Sequence, residues 1–165
     1  MSHLSRSAES KPTSRRYYVI YDGNCNLCVN FVCLLETLDQ GQRFQYAPMQ
    51  DEALLRQFEI TPQDCELGML LIDAQSPEQR WQGSEAAEEI GRLLPLGAAF
   101  VQIYRAVPGF KWGGDRLYEH VRDNRYALFG QRRHTYQSHF PVCGSGSCAA
   151  ILDGKEGAIP PESVL

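Results

Sequence analysis

Three features of the sequence predict an α/β fold built as one domain. The chain has 165 residues, 43% of them hydrophobic, which is enough for one domain with a core and short for two. Short runs of β-branched and aromatic residues alternate with segments whose apolar residues recur at helical spacing. One such run, residues 17–21, ends at Asp22 and Gly23, and a C-x-x-C pair, Cys25 and Cys28, follows at the start of a predicted helix. The rest of the chain is expected to be organised around this strand, turn and helix.

The segments that follow alternate between the two structure types. Apolar residues within 29–38 recur at helical spacing, and Gly41 is the expected cap at the end of this helix. We then predict, in order, a strand over 43–48, a helix over 49–58, a loop over 59–66, a buried central strand over 67–73, a returning strand over 79–83 and a helix over 85–94 capped by Ser84. This order, β-α-β-α-β-β-α, is that of a thioredoxin-like core with the cysteine pair at the end of its first strand.

Two further helical patterns, over 96–107 and 115–124, have no place in a minimal core of this kind. They predict a C-terminal helical extension, beginning at about residue 96, that packs on one side of the sheet. The domain is therefore expected to span 17–133. It would be preceded by a disordered tail over 1–16, rich in Ser and Arg, and followed by a Gly/Ser/Pro-rich tail over 134–165. The alternative for the N-terminal segment is an organelle transit peptide.

Composition limits the function classes. A net charge of −4 and a pI near 5.6 argue against a general nucleic-acid or acidic-membrane binder, because neither surface attracts an acidic protein at long range. No apolar run approaches the length of a membrane span, and no secretory signal is evident. We therefore expect a cytoplasmic protein with neither a nucleic-acid nor a membrane partner. Structural disulfides are rare there, so six cysteines indicate catalytic or metal-binding use.

The C-x-x-C pair is the candidate catalytic centre. The N-terminus of a helix lowers the pKa of a cysteine thiol, because its dipole and unpaired N–H groups stabilise the thiolate. Cys25 is therefore the candidate nucleophile, and Cys28, three residues later, lies close enough to attack a mixed disulfide on Cys25 and release the partner. The same spacing is also half of a zinc site, but no second C-x-x-C exists to complete one.

The residues around the pair have two possible roles each. Asp22 is a candidate catalytic residue that relays a proton for Cys28, and its alternative role is to bond the backbone of its own turn. Asn24, Asn26 and Leu27 are candidate substrate contacts. The two asparagines could instead shape the loop and the helix start, while Leu27 offers an apolar contact to a bound partner. Gly23 is expected where the backbone has a positive φ or another segment approaches closely.

Four other cysteines are harder to place. Cys33 lies on an apolar helix face and is expected to be a small buried side chain, whereas Cys65, ahead of the central strand, could approach the active pair. Three interpretations stay open for the last two cysteines, which follow two histidines: a zinc site, a second dithiol on a flexible arm, or two idle thiols. These four residues are His134, His139, Cys143 and Cys148.

The chain resembles the DCC family of predicted thiol-disulfide oxidoreductases in three places. The first is Tyr21-Asp22-Gly23-x-Cys25-x-Leu27-Cys28, and the others are Gly83-Ser84-Glu85-Ala86-Ala87 and Asn124-Arg125-Tyr126-x-Leu128-Phe129-Gly130. The resemblance covers roughly residues 18 to 133. It implies a thioredoxin-like fold and a redox role for Cys25 and Cys28. Asn124 and Arg125 belong to the motif, and ending a helix is the role we expect for them. Well-studied thioredoxins place a cis-proline just before the central strand, whereas Pro62 lies several residues earlier.

The function expected from these observations is thiol-disulfide exchange with a protein or small molecule that carries a thiol or a disulfide. Electrons would come from an external dithiol, and the chemistry requires no bound cofactor. The alternative from another class is a binding module without enzymatic activity, in which a thioredoxin-like surface docks a partner and the cysteines hold zinc.

Overall fold

The structure, a computed structural model, describes residues 15–94, 97–107 and 109–142, with the side chains of residues 100 and 103 left out. Its strands are β1 (Tyr17–Tyr21), β2 (Phe44–Pro48), β3 (Leu70–Asp73) and β4 (Arg80–Gln82). Its helices are α1 (Asn26–Asp39), α2 (Glu52–Gln57), α3 (Pro62–Glu66), α4 (Ser84–Leu93), α5 (Gly97–Ala106), α6 (Phe110–Asp123) and α7 (Arg125–Phe129).

The strands form one mixed sheet in the order β2-β1-β3-β4. β1 pairs in parallel with β2 across the α1 crossover, and Tyr21 lies opposite Pro48. β3 runs antiparallel to both β1 and β4, with Leu71 between Val19 and Trp81. The predicted central strand is thus central, and all of its residues are buried. The α/β thioredoxin-like fold predicted from the sequence is confirmed.

Each face of the sheet has its own apolar core. The face covered by α1 and α4 contains Tyr17, Val19, Tyr21, Val29, Val32, Leu35, Phe44, Tyr46, Leu71, Ala86 and Ile90. The opposite face, covered by α2 and α3, contains Ile20, Ala47, Leu54, Leu55, Phe58, Ile60, Cys65, Leu70, Ile72 and Val142. Alternation along β1 divides its side chains between the two cores, as the period of a strand requires.

The helical extension lies on the α1/α4 side of the sheet. α5 and α6 pack against α4 and against each other, while α7 contacts α1. α6 begins at Phe110, several residues before the predicted start, because Gly109 in the left-handed conformation ends the preceding turn. α7 brings the chain back to the first turn of α1, which is where the cysteine pair lies.

Several helix ends differ from the sequence prediction. Gln40, with φ of 50°, ends α1 in the left-handed conformation, and Gly41 only continues that turn. Gly83 is the N-cap of α4, so Ser84, the predicted cap, is its first residue and makes no capping hydrogen bond. The predicted helix over 49–58 starts at Glu52, because the carboxylate of Asp51 caps it through the N–H of Leu54.

The segment predicted as a loop before β3 contains the short helix α3. Thr61 and Asp64 form a reciprocal capping box, and Pro62 occupies the first helical position, where its missing N–H costs nothing. Cys65 therefore lies on a helix and not in a loop. The strand that follows begins at Leu70, three residues later than predicted, after Gly68 at φ of 111°.

Residues beyond the expected end of the domain also pack on it. We placed the boundary after residue 133, yet the N–H of Tyr46 donates to the carbonyl of Phe140, and the N–H of Val142 donates to the carbonyl of Tyr46. This stretch lies against β2 as far as Val142, which is buried. Residues 1–14 of the predicted disordered tail (1–16) lie outside the described residues, and so do residues 143–165 of the predicted C-terminal tail.

None of the helices within the described ranges combines the length and the apolar character that a membrane crossing needs.

Candidate active site

Cys25 is the N-cap of α1. Its backbone is extended, with φ of −91° and ψ of 122°, and its sulfur accepts a hydrogen bond from the N–H of Cys28 at 3.4 Å. A sulfur in this position receives both the unpaired N–H groups and the positive end of the helix dipole. The strand-turn-helix context predicted for the pair is therefore present, and Cys25 is the residue that occupies the helix N-terminus.

Cys28 lies in the first turn of α1 and is half-buried. Burial raises the pKa of its thiol above the ordinary value of 9.0, and the hydrogen bond to Cys25 and the charges of Cys25 and Asp22 act in the same direction. The positive charge of Arg125 opposes them without reversing the shift. Of the two cysteines, Cys28 is therefore held as the neutral thiol.

Asp22 is the centre of a buried polar cluster beneath the pair, with 2% of its surface exposed. One carboxylate oxygen accepts from the backbone N–H of Asn24 at 3.0 Å and from Nε2 of Gln50 at 2.9 Å. The other accepts from the hydroxyl of Tyr126 and from the guanidinium of Arg125 at 3.3 Å. Burial alone would raise the pKa of Asp22, but these hydrogen bonds and the Arg125 charge lower it. Asp22 is therefore ionised at neutral pH and fully bonded.

Arg125 and Tyr126 are the site residues whose role the sequence reasoning missed. Arg125 packs over the ring of Tyr126 at 4.9 Å from its centroid. Both reach Asp22 from the first turn of α7, 103 and 104 positions away in the sequence. Nε of Arg125 is buried without a hydrogen-bond partner. Asn124 ends α6, as expected, but Arg125 does more than terminate a helix. The motif Asn124–Gly130 was the available signal, although it did not indicate the contact with Asp22.

Residues 129–136, which we call the covering segment, lie over Cys25. Gln131 forms a β-bridge with Cys25, and the N–H of Asn26 donates to the carbonyl of Gly130 at 3.4 Å. The N–H of Arg132 donates to the carbonyl of Asn24 at 2.7 Å. Cys25 is 0% exposed as a result. The predicted nucleophile is thus sealed from solvent in this conformation.

The two asparagines that we expected to contact a substrate bind the covering segment through their side chains. Nδ2 of Asn26 donates to the carbonyl of Phe129 at 2.9 Å, and its Oδ1 accepts from Nε of Arg132 at 3.1 Å. Oδ1 of Asn24 accepts from the hydroxyl of Thr135 at 2.8 Å. Their alternative role, shaping the loop, is the one that these contacts support.

Gly23 permits the covering segment to approach closely. A Cβ at this position would lie 2.6 Å from Cγ2 of Thr135, which is closer than real Cβ atoms come to a neighbour. The N–H of Tyr136 donates to the carbonyl of Gly23 at 2.9 Å in the same place. Close approach, one of the two reasons predicted for this glycine, therefore applies.

The covering segment is anchored at its far end by Glu36, a buried carboxylate on α1. Glu36 accepts from the hydroxyl of Tyr136 at 3.0 Å, from the hydroxyl of Ser138 and from the N–H of His139 at 3.1 Å. Burial alone would raise the pKa of Glu36, but these hydrogen bonds lower it. The charge on Glu36 thus holds the segment in place.

A cavity of about 270 Å³ opens beside Cys28. Its wall is almost wholly apolar, and most of it comes from α1, from the residues just before β3, from α4 and from α6. The lining includes Leu27, Phe31, Met69, Ala87 and Tyr118, together with Cys28 itself. Leu27, predicted to offer an apolar contact, is placed where a bound molecule would meet it.

The other two cysteines of the described residues, Cys33 and Cys65, do not line this cavity. Cys33 packs half-buried against the α1/α4 core, as expected for a small apolar side chain. Cys65 is buried in the opposite core and borders a second, more open cavity together with Arg56 and Tyr126. Burial raises the pKa of the Cys65 thiol, and the charges of two aspartates add to the shift. Neither cysteine is therefore placed as a third exchanging thiol.

In the described part of the chain, no three His, Cys, Asp or Glu side chains are grouped in a way that could hold a metal ion. Cys143 and Cys148 lie outside the described residues, so the alternatives for them remain as stated. His139 contacts Glu36, and Nδ1 lies 3.1 Å from its carboxylate.

Comparison with known proteins places this site in a family. Residues 19–131 match the family model described as DCC1-like thiol-disulfide oxidoreductase. A curated DCC family protein of Arabidopsis thaliana, described as chloroplastic, is 32% identical over 124 residues, which covers 71% of this chain and 67% of the relative. No solved structure matches. The matched region begins in β1 and ends at Gln131, so it includes the cysteine pair, Asp22, Arg125 and the start of the covering segment.

Proposed function

Because this chain belongs to the family of DCC1-like thiol-disulfide oxidoreductases, we propose that it exchanges disulfides with a thiol-bearing or disulfide-bearing substrate through Cys25 and Cys28. The observation that carries the proposal is the asymmetry of the two sulfurs. Cys25 caps the helix and accepts an N–H bond, whereas the pKa of Cys28 is raised. A dithiol with one thiolate and one neighbouring thiol is the reactive form in disulfide exchange.

In this mechanism Cys25 carries the negative charge whenever the disulfide of the pair opens. The lower the pKa of a departing thiol, the faster it leaves, so helix α1 promotes opening of the Cys25–Cys28 bond. From the sequence we expect Cys25 to attack the substrate and Cys28 to resolve the mixed disulfide. Charge supports that order, but attack by Cys25 requires the covering segment to move away, because Cys25 is buried beneath it.

Asp22 is proposed to set the charge balance of the site. Its two oxygens are occupied by four donors, so it is a weak proton acceptor at neutral pH. Burial is the main reason that the pKa of Cys28 is raised, and the charge of Asp22 adds to the same shift. Arg125 offsets the same charge and holds α7 against the pair. Both residues are therefore proposed to position and tune the cysteines.

Electrons are proposed to pass to and from an external dithiol or disulfide, and no bound cofactor is part of the mechanism. The cytoplasm is proposed as the location, because the six cysteines suit a compartment rich in thiols. The related plant protein, by contrast, is described as chloroplastic.

The experiment that tests the function is equilibration of metal-analysed protein against glutathione buffers of known ratio, with mass spectrometry to locate the linked cysteines. Reversible pairing of Cys25 with Cys28 at a potential between roughly −270 and −120 mV, the span of known oxidoreductases, would support it. Thiols that resist oxidation until stoichiometric zinc is removed would overturn it in favour of the binding module.

Single substitutions test the proposed exchange through their effect on activity. Cys25→Ser and Cys28→Ser should each abolish multiple turnovers of exchange and leave the fold nearly intact, whereas Cys33→Ser should retain exchange. If Cys25 instead belonged to a structural zinc site, its replacement would remove metal and stability together.

A further inference from the structure

The two sulfurs of the pair differ in what can reach them. Cys25 is 0% exposed, because the bridge from Gln131 and the contacts of Asn24 and Asn26 close the surface above it. Cys28 borders the cavity of about 270 Å³. In the conformation described, a substrate therefore meets Cys28 first, and it does so inside the cavity.

The wall of this cavity selects for apolar groups. Leu27, Phe31 and Met69 supply aliphatic, aromatic and thioether surface, and the hydroxyl of Tyr118 is already bonded to the backbone of Met69. Three charged side chains, Asp22, Arg122 and Arg125, also border the cavity. They already have ionic partners, because Asp22 pairs with Arg125 and Arg122 pairs with Asp123. A ligand that carried many polar groups would lose its water here without gaining equivalent hydrogen bonds.

The size of the cavity argues against a polypeptide substrate. Its volume of about 270 Å³ lies just below the usual range of ligand sites, which is roughly 300–1,000 Å³. A cysteine within a protein would have to bring its flanking backbone amides to this wall, where Nε of Arg125 is the one buried side-chain donor without a partner among the described lining residues. A small organic thiol has no such backbone to satisfy.

We propose that Cys28 is the sulfur that bonds to the substrate, and that the substrate is an apolar thiol of low molecular weight whose organic group fills the cavity. This inference rests on the proposed function, since it assumes that Cys25 and Cys28 exchange disulfides. It reverses the order of the two cysteines expected from the sequence.

The reaction begins with the Cys25–Cys28 disulfide. The substrate thiolate attacks Sγ of Cys28, a bond forms between the two sulfurs, and the Cys25–Cys28 bond breaks. Cys25 leaves as a thiolate, stabilised at the helix N-terminus. A second substrate thiolate then attacks the substrate sulfur of the mixed disulfide and releases the substrate disulfide. Cys28 leaves and takes up a proton. Two substrate thiols are oxidised and the pair is reduced, and an external disulfide such as that of glutathione reoxidises it.

The first test locates the mixed disulfide. Oxidised full-length protein is mixed with 2-phenylethanethiol, quenched in acid at successive times, alkylated and mapped by mass spectrometry. We expect the phenylethyl group on Cys28 with Cys25 alkylated. The group on Cys25 with Cys28 alkylated would overturn the proposal and leave the proposed function standing.

The second test fills the cavity. Ala87→Phe places a ring in the cavity wall on α4, and Ala98→Phe is the matched control on an exposed position of α5. Rates are measured for 2-phenylethanethiol, for glutathione and for a reduced unfolded polypeptide, each divided by its uncatalysed rate. The wild-type preference for 2-phenylethanethiol over glutathione should be about tenfold, which corresponds to partial burial of a phenyl group. Ala87→Phe should remove that preference and Ala98→Phe should keep it.

The outcomes separate the two proposals. If the polypeptide or glutathione reacts as fast as 2-phenylethanethiol and Ala87→Phe changes nothing, the cavity is not the substrate site, but exchange by the pair still stands. If none of the three thiols reduces the Cys25–Cys28 disulfide faster than the uncatalysed reaction, the function itself fails. Circular dichroism of Ala87→Phe and Ala98→Phe checks that both variants fold. If Ala87→Phe does not fold, the mass mapping on wild-type protein decides between the outcomes.

Discussion

The two sides of the cysteine pair are built from opposite kinds of contact. On the Cys25 side, polar groups of the covering segment meet Asn24, Asn26 and Glu36, and no opening remains. On the Cys28 side, apolar side chains from several elements leave a cavity. A hydrogen-bonded cover is held by a few directional contacts, so it can be released by a small change in charge or packing. Rearranging a close-packed apolar wall costs more free energy, because its side chains interlock. The helix N-terminus that can stabilise a thiolate is thus on the sealed side, and access to the pair is on the open side.

The largest effect is expected from removing the charge of Asp22, which lies beneath both cysteines. Asp22→Asn leaves the buried guanidinium of Arg125 without its counter-ion and should lower the free energy of unfolding by roughly 3 kcal/mol. Because the Asp22 charge raises the pKa of Cys28, the same change should move alkylation of Cys28 to lower pH. Urea unfolding and pH-dependent alkylation measure the two effects.

The control for Asp22→Asn is Asp123→Asn, which removes an exposed carboxylate paired with Arg122 and should leave stability close to that of the wild type, because a surface ion pair contributes little. Equal stability of the two variants, or an unchanged pH profile for Cys28, would show that Asp22 does not control the site.

The next largest effect is expected from a substitution that displaces only the covering segment. Gly23→Val puts side-chain atoms where Thr135 already lies and should cost roughly 2 kcal/mol through overpacking. The covering segment should be displaced, so Cys25 should become alkylated faster while Cys28 changes little. Quenched alkylation followed by mass mapping measures both rates.

Gly113→Val is the matched control, because nothing lies within 4 Å of a Cβ at that helical position. It should leave both alkylation rates as they are. Slow alkylation of Cys25 in the Gly23 variant would mean that the segment does not limit access.

A smaller effect is expected when acid protonates Glu36, the carboxylate that anchors the covering segment. The folded protein lowers the pKa of Glu36 below its ordinary value of 4.5, because the bonds from Ser138, His139 and Tyr136 outweigh burial. A group of this kind contributes stability that is present above its unfolded pKa and is lost as the pH falls through the folded pKa. Glu36→Gln should therefore be less stable than wild type by about 1–2 kcal/mol at pH 7, and the difference should shrink towards acid pH.

Thermal unfolding of Glu36→Gln and wild type between pH 7 and pH 2.5 checks this prediction. Glu78→Gln, at an exposed turn position, serves as the control and should follow the wild type throughout. A Glu36→Gln deficit that stays constant over the pH range would exclude the charge of Glu36 as its cause.

The smallest effect is expected from shortening a side chain in the wall of the cavity beside Cys28. Leu27→Ala removes apolar wall beside Cys28 and should slow the reaction with 2-phenylethanethiol about threefold, leaving glutathione unaffected. Leu128→Ala, which truncates an exposed leucine, should change neither rate. The ratio of the two normalised rates is the measurement, and an equal loss for both thiols would show that Leu27 acts on the pair and not on the ligand.

Local sequence patterns were sufficient for most of the fold. The β-branched run before Asp22, the helical spacing after Cys28 and the apolar run of β3 each encode one element, and their order specifies the sheet. The short helix α3 was missed although its signal was present, since Thr61 and Asp64 have capping-box spacing around Pro62. A helix of five residues is too short for helical spacing of apolar side chains to be recognised.

Burial on α1 was only partly readable from the sequence. Val29, Val32 and Leu35 are buried, as helical spacing predicts, but Leu34 and Leu38 are 53% and 52% exposed. Glu36 and Asp39, which the pattern places among the polar residues, are buried. Glu36 accepts a hydrogen bond from the hydroxyl of Ser138, and Asp39 accepts from the N–H groups of Arg43 and Phe44. A residue's own periodicity does not report a partner 100 positions away.

The sequence by itself determined the α/β fold, the family and the placement of the cysteine pair at a helix N-terminus, because these depend on residues that are neighbours in the chain. Tertiary structure alone decided that Arg125 and Tyr126 reach Asp22, that residues 129–136 close over Cys25, and that a cavity opens beside Cys28. Each of those contacts joins segments about a hundred residues apart or several elements at once. Their existence depends on how the helical extension packs, and no local pattern encodes that packing.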